Sequence, residues 1–238
     1  MKKISIAAFA LLFGSAISAA AENEIDMSTA HESMLFHMAE VELDYADAQD
    51  GLWNWNANGW IGGDTDRLWF RSKGEIAEDE VEKAEAQLFY GRNFHPFWDA
   101  LIGVRQDFEP DGETYLAAGI AGLAPYFFET EATAFLSTEG DLSARLEQSF
   151  ELPVTQRLIA EPHAELELFA QDVPERDVGA GFSSVEAGFQ LRYEITRKFA
   201  PYVDLVWERD LGETASITRA NGEDVDSTTL RFGIRAWF

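Results

Sequence analysis

Apolar and polar positions alternate along most of this chain, and the last eleven residues show it most plainly. Leu230, Phe232, Ile234, Ala236 and Phe238 alternate with Arg231, Gly233, Arg235 and Trp237. A period of two is the signature of a strand with one apolar face and one polar face. The same pattern runs through Val41–Tyr45, Trp53–Ile61, Arg67–Lys73 and Lys83–Tyr90. It continues in Trp98–Phe108, Thr114–Leu123, Tyr126–Leu136, Asp141–Glu151, Arg157–Phe169, Ser183–Glu194 and Pro201–Arg209. With Thr228–Phe238 this predicts about twelve strands, an even number within the range of bacterial membrane barrels.

The connections carry a second pattern. Short links with Pro or aromatics (Gly62–Asp66, Asn93–Pro96, Gly122–Pro125, Leu152–Val154, Thr196–Pro201) alternate with acidic, often longer ones. The acidic set is Ala46–Gly51, Ala77–Glu80, Glu109–Glu113, Thr138–Asp141, Gln171–Phe182 and Asp210–Ser227. Transmembrane barrels have short periplasmic turns and longer outer loops, so the expected fold is an all-β transmembrane antiparallel barrel. The aromatic at the very end matches the terminal strand by which bacterial assembly machinery recognises such barrels. A soluble β-sandwich or lipocalin-like barrel also alternates, with its apolar face inward. It would account neither for the two loop chemistries nor for a chain ending on Trp-Phe.

Residues 1–21 stand apart. Lys2 and Lys3 precede an apolar run from Ile4 to Ile17, and Ser18 to Ala21 are small. That is a secretory signal peptide, too short to span a bilayer. The expected organisation is a signal peptide over 1–21, a periplasmic lead-in over 22–37 and the barrel over 38–238. The chain has no cysteine, which argues against a disulfide-stapled exported domain. Its net charge of −25 excludes a nucleic-acid partner, which needs a basic face, and leaves cations as natural partners.

In a membrane barrel the polar face lines the lumen. That face carries acids in excess with interspersed arginines and lysines, and two readings follow. One is a lattice of salt bridges filling a narrow pore; the other is a cation-favouring conduit lined with carboxylates. Glu161, His163, Glu165 and Glu167 stand at successive lumenal positions of one strand. Imidazole and carboxylate are both workable metal ligands, so Glu161, His163 and Glu165 are candidates for a metal step, the alternative being a simply hydrogen-bonded histidine. Ser143 or Ser149 beside His163 would be the only route to hydrolytic chemistry, in the manner of outer-membrane phospholipases. That setting is unspecific, and no enzymatic activity is expected.

Three of the four methionines, Met27, Met34 and Met38, cluster with His31 and His37 at the start of the mature chain. Thioether sulfur suits Cu(I), and imidazole suits Cu(II) or zinc. The plainer alternative is that Met34, Leu35, Phe36 and Met38 begin the first strand or sit in the barrel mouth.

Several segments resemble the outer-membrane copper resistance protein B family. They include Trp60–Asp64, Arg67–Phe70, Glu82–Tyr90, Pro96–Asp99, Gly103–Phe108 and Gly122–Tyr126. Glu131–Phe135, Thr155–Leu158, Arg192–Ile195, Phe199–Tyr202 and Arg235–Phe238 extend the resemblance over nearly the whole chain from about residue 34. It implies a protein of the Gram-negative outer membrane, embedded in lipid, that serves copper tolerance beside periplasmic copper-handling proteins, with copper as its ion. Such proteins commonly carry a longer Met- and His-rich N-terminal extension. This chain has only Met27, His31, Met34, His37 and Met38 there.

Overall fold

In the computed structural model the described residues are 35–46, 51–77, 80–110 and 112–238. Met27, His31 and Met34 lie outside them.

The elements follow the predicted alternation closely. In chain order they are β1 (Phe36–Ala46), β2 (Leu52–Gly62), β3 (Asp66–Ala77), β4 (Glu80–His95), β5 (Trp98–Glu109) and β6 (Thr114–Ala124). Next come β7 (Phe128–Ser137), β8 (Leu142–Ser149), a two-residue β9 (Leu152–Pro153), β10 (Leu158–Phe169), β11 (Gly181–Tyr193), β12 (Phe199–Asp210) and β13 (Asp226–Trp237). Each long strand pairs antiparallel with its neighbours, β10 bonding both β8 and β11. The ring closes because β1 pairs with β13 as well as β2, with Glu40 opposite Trp237 and Ala46 opposite Arg231. Phe238 extends that seam: its N–H donates to Ala39 O at 2.8 Å, and Ala39 N–H donates back at 3.2 Å. Twelve long strands therefore form a closed barrel with no free edge.

The barrel is inside-out relative to a soluble one. Ile102 is 64% exposed and Leu116 66% exposed on the outer face. Asp99, Arg105, Asp107, Arg192, Asp204 and Arg235 are buried on the lumenal face. Only a hydrocarbon solvent makes that arrangement favourable, because the apolar band must leave water and the backbone must be bonded internally. Exposed aromatics mark the two rims of this band. Phe94, Phe97, Tyr126 and Phe127 cluster at the short turns, and Trp53, Phe108 and Phe182 at the long-loop end.

Two connections depart from the sequence reading. Tyr126 does not begin β7; Pro125–Phe127 form a 3-10 turn in which Tyr126 and Phe127 hold φ of 68° and 65°. Pro125 cannot donate to a ladder, so pairing stops there. The loop from Asp210 contains an α-helix, α1 (Thr214–Asn221), ended by Gly222 in the left-handed region.

Candidate functional site

The lumenal face is where charged chemistry collects. Every second residue of each strand points inward, so Arg71 and Lys73 on β3, Glu131 on β7, Arg145 and Glu147 on β8, and Glu165 and Glu167 on β10 share one interior. They interlock at mid-height. Lys73 Nζ donates to Glu165 Oε2 at 3.0 Å and also to Glu147. Arg145 Nη1 donates to Glu85 Oε1 at 2.9 Å, and its Nε lies 3.2 Å from Glu165 Oε1. Arg71 pairs with Glu131.

Toward the periplasmic end a second knot joins Arg192 and Arg235 to Glu161, with Arg235 also on Glu42 and Arg192 on Glu151. A third surrounds His163. Its Nε2 lies 3.1 Å from Asp204 Oδ2, and its Nδ1 lies 4.0 Å from Glu186 Oε1. Arg231 Nη2 reaches the other oxygen of Glu186 at 3.5 Å.

The three lumenal candidates thus share a wall but not a partner set. Glu161 is held by two arginines and Glu165 by Lys73 and Arg145, while His163 turns to Asp204 and Glu186. Ser149 stands opposite His163 in register, yet the imidazole nitrogens face those carboxylates. Of the lead-in residues, His37 and Met38 fall within β1. Strand alternation places Met38 on the lumenal face with Glu40, and His37 on the outward face. Among the described residues, one group of three acids brings its ligand atoms within 4.8 Å of one another: Glu113, Glu139 and Asp141, at the outer rim. Their spacing along the sequence gives no hint of that meeting.

The lumen also holds an apolar cluster that a polar-face reading misses. Phe89, Leu101, Tyr115, Ala117 and Phe135 are buried together, with Trp69 and Ala121 against them. Arginines lie over these rings, Arg105 at 5.0 Å from the centroid of Phe135 and Arg71 at 5.1 Å from that of Phe89. Guanidinium groups over aromatic faces let charge and apolar surface share one interior. The β3–β7 side is therefore filled. The side formed by β10–β13, β1 and β2 is lined with carboxylates, with Arg192, Arg231, Arg235 and His163 paired to some of them, and with the amides of Asn54, Asn56 and Asn58.

Comparison with known proteins decides the family. The family described as copper resistance protein B precursor matches residues 32–238. The chain is 40% identical over 212 residues to copper resistance protein B of Escherichia coli, covering 87% of this chain and 71% of that protein. It is 43% identical over 199 residues to a copper resistance protein B homolog of Pseudomonas syringae pv. tomato, covering 83% and 68%. The chain belongs to the copper resistance protein B family.

Solved structures place the copper resistance protein B fold among outer-membrane barrels. The NanC porin superposes with a TM-score of 0.57 at 13% identity, covering 83% of this chain and 98% of the porin. The KdgM porin superposes with a TM-score of 0.51 at 9% identity, covering 84% and 99%. At those identities the likeness is one of fold. Family and fold together give a protein of the Gram-negative outer membrane with a role in copper resistance.

Proposed function

We propose that this barrel binds copper ions at the outer membrane and passes them along the acidic side of its lumen. The observation that carries the reading is the surplus of carboxylates inside. Among the described residues, Glu40, Glu129 and Glu208 have no Lys, Arg or His nitrogen within ion-pair distance, although all three lie on lumenal faces. Glu129 and Glu208 are exposed near the two ends of the lumen and Glu40 lies on its wall, and carboxylates without a cation partner attract cations and repel anions. Met38 offers a thioether at the periplasmic mouth of the lumen, Met27, His31, Met34 and His37 are the further candidate donors of the lead-in, and Glu161, His163 and Glu165 offer harder donors along the wall. Periplasmic copper-handling proteins are the corresponding partners on that side.

The test is copper binding by the refolded mature protein in detergent, with and without residues 22–35, which precede β1. Stoichiometric binding that disappears on truncation places the capture site in the lead-in. Binding that survives moves it to the lumen, where His163→Ala is the next variant. Absence of binding in both forms defeats the proposal.

The competing reading is a plugged barrel with no metal role of its own. The ion pairs that cross the lumen favour it. Single-channel recording separates the two, since a plug gives no cation-dependent conductance.

A further inference from the structure

The partners of Lys73 lie in an unusual place. Lys73 stands on β3 and Glu165 on β10, and in the closed ring of twelve long strands these are six strands apart in either direction. The 3.0 Å contact between Nζ and Oε2 therefore spans the full width of the lumen. The other bonds of the mid-height knot join closer walls: Arg145 reaches Glu85 four strands away and otherwise pairs with its neighbour β10. Cutting the Lys73 contacts removes the widest of these crossings and opens the lumen on the β10 side, while Arg71–Glu131 and Arg145–Glu85 still join β3 to β7 and β4 to β8.

Lys73 also differs from Arg145 in how firmly it is held. Arg145 is 10% exposed and engages three carboxylates through its planar fork. Lys73 is 32% exposed and ends in a single ammonium on a flexible four-carbon stem. When its ammonium leaves, Glu147 and Glu165 face each other with one positive charge fewer between them. An incoming cation restores that charge.

From this we infer that Lys73 is the bolt of the lumen: it bars the barrel by bridging Glu147 and Glu165, and a cation passes by taking its place between them. The inference rests on the reading of the lumen as a path for cations, and its test separates the two. The full mature protein is refolded, checked for heat-modifiable mobility on gels, and recorded in planar bilayers in potassium chloride. Lys73→Met removes the ammonium at similar length. The double variant Glu147→Gln with Glu165→Gln releases the ammonium without touching Lys73.

Low wild-type conductance that rises several-fold in both variants is the expected result. The reversal potential should favour potassium in Lys73→Met, with a weaker preference in the double variant, which lacks the two carboxylates that would hold the cation. Wild-type protein that already conducts freely, or variants that conduct no better than it, overturns the bolt. A rise in conductance in Lys73→Met that favours chloride keeps the bolt and overturns the cation path.

Discussion

Arg176 Nη1 donates a hydrogen bond to Tyr115 Oη at 2.6 Å, although Arg176 belongs to the loop after β10 and Tyr115 to β6. The same guanidinium lies 3.7 Å from Asp107 on β5. The loop over 170–180 thus reaches over the outer mouth to the lumenal wall at β6 and β5, three and four strands from β10. Its other end touches α1, where Gly179 N–H donates to Thr214 Oγ1 at 3.1 Å. A hydrogen bond to a charged group contributes about 1.5–3 kcal/mol, and about 1.4 kcal/mol is a factor of ten in an equilibrium. Arg176→Ala should therefore raise the rate of protease cleavage within 170–180 by roughly tenfold. The barrel itself should stay intact on heat-modifiability gels. Unchanged cleavage would mean that the loop is held without Arg176, by α1 and by the Gln171–Asp141 hydrogen bond.

The two faces of β4 predict opposite responses to substitution. Leu88 faces outward and is 48% exposed, whereas Phe89 is fully buried in the lumen. An arginine near the bilayer midplane on the lipid face costs about 2–4 kcal/mol. Removing a buried phenylalanine costs about 3–5 kcal/mol through lost burial and the cavity left behind. Leu88→Arg should lower stability by the first amount and Phe89→Ala by the second, read from urea unfolding in lipid vesicles. In detergent micelles, where a charged side chain reaches water easily, the Leu88→Arg penalty should shrink and that of Phe89→Ala should persist. Loss of that contrast would count against the lipid-facing assignment of Leu88.

Gly188 makes room for the imidazole of His163. The two residues are opposite in register on β11 and β10, and a Cβ at 188 would lie 2.2 Å from both Cε1 and Nε2 of the ring. Gly188→Ala should push the ring off Asp204, with an overpacking cost of about 1–3 kcal/mol. If His163 takes part in lumenal copper binding, Gly188→Ala should weaken binding as His163→Ala does, measured on protein lacking residues 22–35. Full binding in Gly188→Ala beside lost binding in His163→Ala would show that the position of the ring does not matter.

The fold was legible because its causes are local. Alternation along Thr228–Phe238 and the contrast between Asn93–Pro96 and Asp210–Ser227 are each contained in one short stretch of chain. The wall shared by Glu161, His163 and Glu165 follows from the same period of two. Their partners do not: Lys73 and Glu165 are 92 residues apart, and they meet only because the ring of twelve strands sets them face to face. The aromatic filling was half legible. Phe89 has the parity of Glu85 and Gln87, so it points inward, but sorting residues by polarity alone assigns a phenylalanine to lipid. Helix α1 lay hidden because Thr214–Asn221 has little apolar periodicity, its chief signal being Gly222 at the end.

That same parity bears on the lead-in. β1 begins at Phe36, so His37 and Met38 are strand residues rather than parts of a free segment. Met38 stands opposite Trp60 and His37 opposite Ile61 across the β1–β2 pair. Adjacent strand positions point to opposite faces, which puts the Met38 thioether at the lumenal mouth beside Glu40 and turns the His37 imidazole toward the membrane interface. One copper ion cannot take both as ligands while the pairing holds. If copper enters the lumen from the periplasm, Met38→Ala should lower copper tolerance in cells relying on this protein, and His37→Ala should leave it nearly unchanged. Replacing Met27, His31 and Met34 together with Met38 should lower it further, since thioethers compete well for Cu(I). Equal losses from His37→Ala and Met38→Ala would instead mean that the start of β1 unpairs and that copper is gripped by His37 and Met38 together.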